Sequence, residues 1–155
     1  MRSRIIVCGI VVKGDKVLLG KKAKGVPPYP DVWHTPGGGV EDYDRAKLMV
    51  GDTDYDNPYL HEELKRELME ETNVCVKNIK CICPRFRDIP RVGINKDKNS
   101  EETHYIFLEY ICEWEGGEAI AGSDIVEVRW FPKRELKSVT LTRPSKEMYS
   151  ELGWM

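Results

Sequence analysis

The chain has 155 residues, 41% of them apolar, and carries 24 Lys and Arg against 26 Asp and Glu for a formal net charge of −2. That length supports one soluble domain over 1–155 with a sizeable core, and the near-neutral balance argues against a membrane surface or a stable nucleic-acid complex as partner. Five cysteines without a C-x-x-C pair argue against a disulfide framework or zinc ribbon; Cys8, Cys75, Cys81, Cys83 and Cys112 lie in apolar runs and read as buried, reduced thiols of a cytoplasmic protein.

In chain order, Arg2 and Arg4 precede an apolar run that is broken by Gly9 and ends at Lys13. It is too short for a signal peptide and lacks a cleavage site, so it reads as a strand. Residues 4–12 and 16–20 flank Lys13-Gly14-Asp15, a hairpin turn. Lys21, Lys22 and Lys24 follow in a Pro- and Gly-rich loop, where they either solubilise the surface or hold phosphate. Trp33-His34-Thr35-Pro36-Gly37-Gly38-Gly39-Val40-Glu41 reads as a strand running into a glycine loop. Residues 43–50 could make two helical turns, and 51–57 is acidic and turn-forming.

Residues 58–74 should be a helix, with Asn57 as N-cap, Pro58 at the first position and Asn73 as the left-handed stop. Leu60, Leu64 and Leu68 form one apolar stripe. Glu63, Glu67, Glu70 and Glu71 lie beside it, and their mutual repulsion at the margin of a buried face calls for a cation. Arg66 answers part of it; a hard divalent ion with oxygen ligands would answer more. The alternative is an ordinary solvated helix face.

Beyond the helix, 74–83 is a strand run. Residues 84–103 read as a long loop made cationic by Arg85, Arg87, Arg91, Lys96 and Lys98, which suits a polyphosphate. Residues 104–114 and 125–131 read as strands around a turn at Gly116-Gly117. A last helix starts near Thr142-Arg143-Pro144-Ser145 and runs through Leu152. His34, His61 and His104 have no metal or triad spacing and receive no chemistry.

Arg66-Glu67-Leu68-Met69-Glu70-Glu71-Thr72-Asn73-Val74 resembles the second half of the Nudix box, G-x5-E-x7-R-E-U-x-E-E-x-G-U, with Asn73 in place of Gly. The 33–41 segment resembles the W-x-x-P-G-G-x-V-E entry to that box. Between the halves lie 14 extra residues, most of them in an insertion at about 42–57, so the middle glutamate that braces the box arginine has no assigned equivalent; Glu41, Asp44 and Asp56 are all candidates. The tail DIVEVRWFPKREL resembles the family's E-x-x-E-x-x-W ending, with Asp124 six residues and Glu127 three residues before Trp130.

The resemblance implies a Nudix α/β/α sandwich: a mixed curved β-sheet with the box helix on one face. It implies a Mg²⁺-dependent hydrolase, with Mn²⁺ as a substitute, cleaving a nucleoside diphosphate linked to another group. Glu70 and Glu71, with a Gly37 or Gly38 carbonyl, would hold metal; Glu67 would be a ligand or the general base, oriented by Arg66. Asp124 or Glu127 is the alternative base, and Lys22, Arg85, Arg87 and Arg91 would bind the nucleotide. The substrate readings are a (d)NTP cut to monophosphate and pyrophosphate, ADP-ribose or a nucleotide sugar (the placement of Pro90 favours this), or a Nudix-like nucleotide-binding module without turnover. A homodimer is compatible with all three.

Overall fold

The computed structural model describes residues 2–22, 32–42, 44, 55–82, 91–96 and 102–155, with 2, 3, 91–96 and 102–105 described by backbone alone. Strand β1 (Arg2–Lys13) organises the sheet. Its near-continuous apolar run reflects burial on both faces: Ile5, Val7 and Val11 enter one core and Ile10 the other. A turn at Gly14, with φ +63°, returns the chain as β2 (Lys16–Lys22), registered Val12 to Val17 and Lys13 to Lys16. In β2 the alternation is strict, with Leu18 in the first core and Val17 and Leu19 in the second.

Strand β3 (Trp33–His34) pairs antiparallel with β2, and β4 (Gly37–Gly39) pairs antiparallel with β1. The glycines thus form a short strand, where a loop was expected, because their backbone completes the ladder at Ile6, Val7 and Cys8. Helix α1 (Pro58–Thr72) follows, then β5 (Cys75–Cys81), β6 (Arg91–Lys96), β7 (Glu102–Gly116) and β8 (Ile125–Pro132). β7 lies parallel to β1 over the register Arg2–Thr103 to Val12–Glu113, and β5 and β6 each pair antiparallel with it. β8 closes the opposite side against β2. The result is a mixed α/β sheet. The expectation of a loop over 84–103 is corrected at 91–96, where β7 supplies a partner strand that the local polar composition could not reveal.

Among the described residues, two helices cover the two faces. Leu60, Leu64 and Leu68 of α1 pack with Val7, Val11, Leu18, Leu108 and Tyr110. Gly9 admits the helix: a Cβ there would lie 3.2 Å from Leu68 and 3.3 Å from Leu64. On the other face, Met148 and Tyr149 of α2 (Arg143–Glu151) meet Ile10, Val17, Leu19, Phe131 and Leu136, the last from a 3-10 turn (Lys133–Ser138). Cys8, Cys81 and Cys112 are buried and outside any disulfide, whereas Cys75 is exposed, its neighbour Val76 taking the core-facing side of β5; Cys83 lies outside the described residues. Among the described residues no helix is long and apolar enough to cross a membrane.

Candidate active site

The local signals of α1 act as read. Asn57 accepts a hydrogen bond from the Leu60 N–H at 3.0 Å, Pro58 occupies the first turn, and Asn73 adopts φ 63° with its N–H on the Met69 carbonyl. With the stripe buried, the helix must present Glu67 and Glu71 towards β4. Glu71 is 5% exposed and accepts from the Gly37 N–H at 2.8 Å. Glu67 lies against Gly38, where a Cβ would come within 2.2 Å of its Oε2; only glycine leaves room for that carboxylate.

Arg66 gathers the remaining acids. Its NH1 lies 3.1 Å from Glu67 and 3.2 Å from both Glu70 oxygens, and 3.7 Å from Glu41. Its Nε donates to Glu63 at 3.1 Å, and NH2 makes a second, shorter bond to the same carboxylate. The principal brace of Arg66 is therefore Glu63, one helical turn before it and only 8% exposed, with Glu41 a more distant partner. The three-residue spacing was visible in the sequence, but helix register alone does not say which of several acids an arginine takes. Asp56 is engaged elsewhere: it pairs with His61 at 2.9 Å and accepts from the Cys81 N–H at 2.7 Å, tying the start of the helix to β5. Asp44 is exposed.

Glu63→Ala should lower turnover about 10- to 100-fold by releasing Arg66 from its orientation, the size typical of lost outer-shell support. Glu63→Gln, which still accepts a hydrogen bond, should recover part of that loss; steady-state rates of the two variants decide it.

The strap after β7 brings a further acid to the far end of the helix. The Ile120 and Gly122 N–H groups bond the Thr72 and Glu71 carbonyls at 2.9 and 3.0 Å, and the chain then delivers Asp124 beside Lys22, 3.5 Å away. Glu127 instead pairs with Arg129 at 2.7 Å on the exposed side of β8. Arg85 and Arg87 lie outside the described residues, and the Arg91 side chain is likewise not described, although its backbone is in β6.

The electrostatics follow from burial. Desolvation pushes the Glu71 carboxyl up to about 8; the Gly37 N–H opposes this, while Asp124 and Glu67 add to it. Burial likewise raises Glu67, with Arg66 opposing and Glu70 adding. Burial works against the Arg66 cation, but Glu63, Glu70 and Glu67 together outweigh it and hold its pKa above the usual value.

Among the described residues no three acidic, His or Cys side chains already converge as a ligand set. The donors nevertheless suit a hard divalent ion: they are carboxylate oxygens, they are electrostatically frustrated, and glycines keep their flank free of side chains.

His34, given no chemistry from sequence, lies in this neighbourhood. Burial, then the Lys22 ammonium, lowers its pKa to about 4. Between that value and the unfolded value near 6.5 the unfolded chain binds the extra proton, so stability rises with pH across this window. Moving from pH 7 to pH 4 should remove about 3 kcal/mol through this residue. Urea denaturation of the parent and His34→Gln at both pH values isolates that difference.

A model of the NUDIX domain matches residues 2–152. The chain is 27% identical over 154 residues to a nucleoside triphosphatase NudI of Enterobacter sp. (strain 638), covering 99% of each. It is also 27% identical over 136 residues to an ADP-ribose pyrophosphatase of Methanocaldococcus jannaschii, covering 88% of this chain and 66% of that protein. The fold superposes on a MutT NUDIX hydrolase of Burkholderia pseudomallei with TM-score 0.66 at 19% identity, over 98% and 99% of the two chains. With the family model spanning almost the whole chain and the box helix seated on the glycine strand, the chain belongs to the Nudix family of pyrophosphate-bond hydrolases.

Proposed function

We propose that the protein is a Mg²⁺-dependent pyrophosphohydrolase that cuts a (d)NTP to a monophosphate and pyrophosphate. The observation that carries this reading is the end-to-end match, 99% of each chain, to a relative named as a nucleoside triphosphatase. Three carboxylates of α1, Glu63, Glu67 and Glu70, arranged about Arg66, with Glu71 buried beside them against Gly37, support hydrolysis over binding alone. A second reading, ADP-ribose pyrophosphatase, is favoured by the partial match to a relative of that name.

Glu70, Glu71 and a Gly37 or Gly38 carbonyl would hold the ion, which supplies neutralisation of the phosphate oxygens and a more acidic bound water. The chain's own residues do the rest. Glu67, pushed upward by burial and fixed by Arg66, takes the proton of the attacking water; a base nearer the working pH accepts it more effectively. Lys22 binds phosphate oxygen, and Asp124 holds that ammonium at the mouth of the site. Attack forms one P–O bond to the water oxygen and breaks the anhydride P–O bond, with pyrophosphate leaving.

The test is a nucleotide panel incubated with and without Mg²⁺, with products resolved by chromatography. Monophosphate plus pyrophosphate from triphosphates supports the reading. AMP plus ribose 5-phosphate from ADP-ribose transfers it to the second. No Mg²⁺-dependent product from the panel would leave a nucleotide-binding module and overturn both.

A further inference from the structure

Four buried hydroxyls, those of Thr35, Thr142, Ser145 and Tyr149, meet where α2 lies against the link between β3 and β4. Ser145 Oγ accepts from the Thr35 N–H and from the Thr142 hydroxyl, each at 3.0 Å. With both lone pairs engaged, its own proton is left for Thr35 Oγ1, 3.0 Å away, and Thr35 Oγ1 lies 3.0 Å from the Tyr149 hydroxyl. Every member has a partner, and a fully satisfied buried network is rigid.

Two features set this network apart from ordinary packing. Backbone bonds already join the two segments at Trp33, whose N–H reaches the Thr140 carbonyl at 3.0 Å and whose carbonyl accepts from the Thr142 N–H at 2.9 Å. The hydroxyls add a restraint at Thr35 alone. Thr142 also stands at the N-cap of α2, where a threonine oxygen ordinarily accepts from a first-turn N–H. It makes no such bond here and donates to Ser145 instead. The local cap is given up for the network, and departures from local preference concentrate at functional sites.

What lies beyond Thr35 is the flank of the acidic helix. Pro36 follows with its φ locked by the ring, and its carbonyl accepts from the Gly9 N–H at 2.9 Å. Gly37 then donates its N–H to Glu71 at 2.8 Å and presses so closely on β1 that a Cβ would collide with the Val7 carbonyl. Gly38 comes next, against Glu67. Only one residue separates the hydroxyl network from the backbone that meets the acids.

We propose that Thr35 is a positioning residue for the hydrolysis: held by Ser145 and Tyr149 of α2, it keeps the Gly37–Gly38 backbone in register with Glu71 and Glu67. This rests on the metal site proposed above. The C-terminal helix is thereby tied to the catalytic helix through the sheet.

The experiment titrates Mn²⁺ alone into the parent and variants by calorimetry, and measures kcat and KM for a triphosphate in Mg²⁺. Thr35→Val keeps the branched shape without the hydroxyl; it should weaken Mn²⁺ binding at least about tenfold and lower kcat about 10- to 100-fold, the size of lost outer-shell support. KM should move less than about threefold, since no group that touches nucleotide is altered. Thr35→Ser restores the hydroxyl and should restore both readouts to within about threefold of the parent. Ser145→Ala should repeat the losses, and it carries the test if Thr35→Val does not fold. Met148→Val, buried on the same helix but outside the network, should leave both readouts near the parent's. Folded Thr35→Val with parental Mn²⁺ binding and kcat overturns the proposal, even if its melting midpoint falls. Losses in Thr35→Ser or Met148→Val as large as in Thr35→Val would mean general loosening of α2 and overturn it too. A parent that binds no Mn²⁺ overturns the metal site and this proposal together. Absent hydrolysis in the parent, with Mn²⁺ binding that weakens in Thr35→Val and returns in Thr35→Ser, would fault the nucleotide reading alone and uphold the role of Thr35.

Discussion

Glu70→Gln should lose about three orders of magnitude in turnover, the loss of several kcal/mol of transition-state charge stabilisation, with its folding unchanged. The Glu70 side chain is 51% exposed and its described partner is Arg66 on the same helix. An exposed pair at that spacing contributes only about 0.3–0.5 kcal/mol, so the thermal midpoint should barely move. Glu71→Gln should be as inactive, yet differ in its response to metal. Glu71 is buried, and its ionised form is disfavoured by desolvation and by Asp124 and Glu67. A bound cation relieves that frustration, so Mg²⁺ should raise the melting midpoint of the parent by mass action. The same titration should leave Glu71→Gln almost unshifted. Near-parental turnover in either variant would remove these residues from the proposed metal site, whatever the melting data show.

Leu64→Ala should cost about 2–5 kcal/mol of stability, the range for deleting a buried leucine without full collapse of the space. Leu64 is fully buried at the centre of the α1 stripe. Both of its terminal carbons lie within 3.5 Å of where a Gly9 Cβ would be, so β1 already approaches the helix as closely as its backbone allows. The sheet cannot follow a shortened side chain inward, and a cavity is left. Urea denaturation reads the loss directly. A cost below about 1 kcal/mol would show that the helix repacks, contrary to the close approach seen here.

The helix carrying the site was legible down to its caps, because Asn57, Pro58 and Asn73 act on backbone groups within a turn of themselves and need no distant partner. The hairpin at Gly14 and the final helix after Thr142 were legible for the same reason. The continuous apolar run of β2 did not say that Leu18 enters the core under α1 while Val17 and Leu19 enter the one under α2.

Contacts across the chain were a different matter. β6 exists because β7 offers it a ladder, and a polar stretch carries no mark of a partner that distant. The glycines at 37–39 were expected as a loop, yet their backbone is taken up by β1. Glu41, Asp44 and Asp56 were the candidate braces for Arg66 on charge and spacing; burial and two guanidinium bonds chose Glu63 instead, one turn back on the same helix. Asp124 and Glu127 looked equivalent three residues apart, until the strap from 120 to 122 set Asp124 beside Lys22 and Arg129 took Glu127. His34 carried no sequence signal because its lowered pKa is a property of its surroundings.

Spacing along the chain was therefore enough for the family, the α1 helix and the acids that line it, all of which depend on periodicity and local capping. Which acid braces Arg66 depended on burial one helical turn away, and which acid faces Glu71 depended on Asp124 being set beside Lys22 from the other end of the chain. Charge and hydrogen-bonding energies change steeply over a few ångströms and with loss of water, and only the folded sheet determines both.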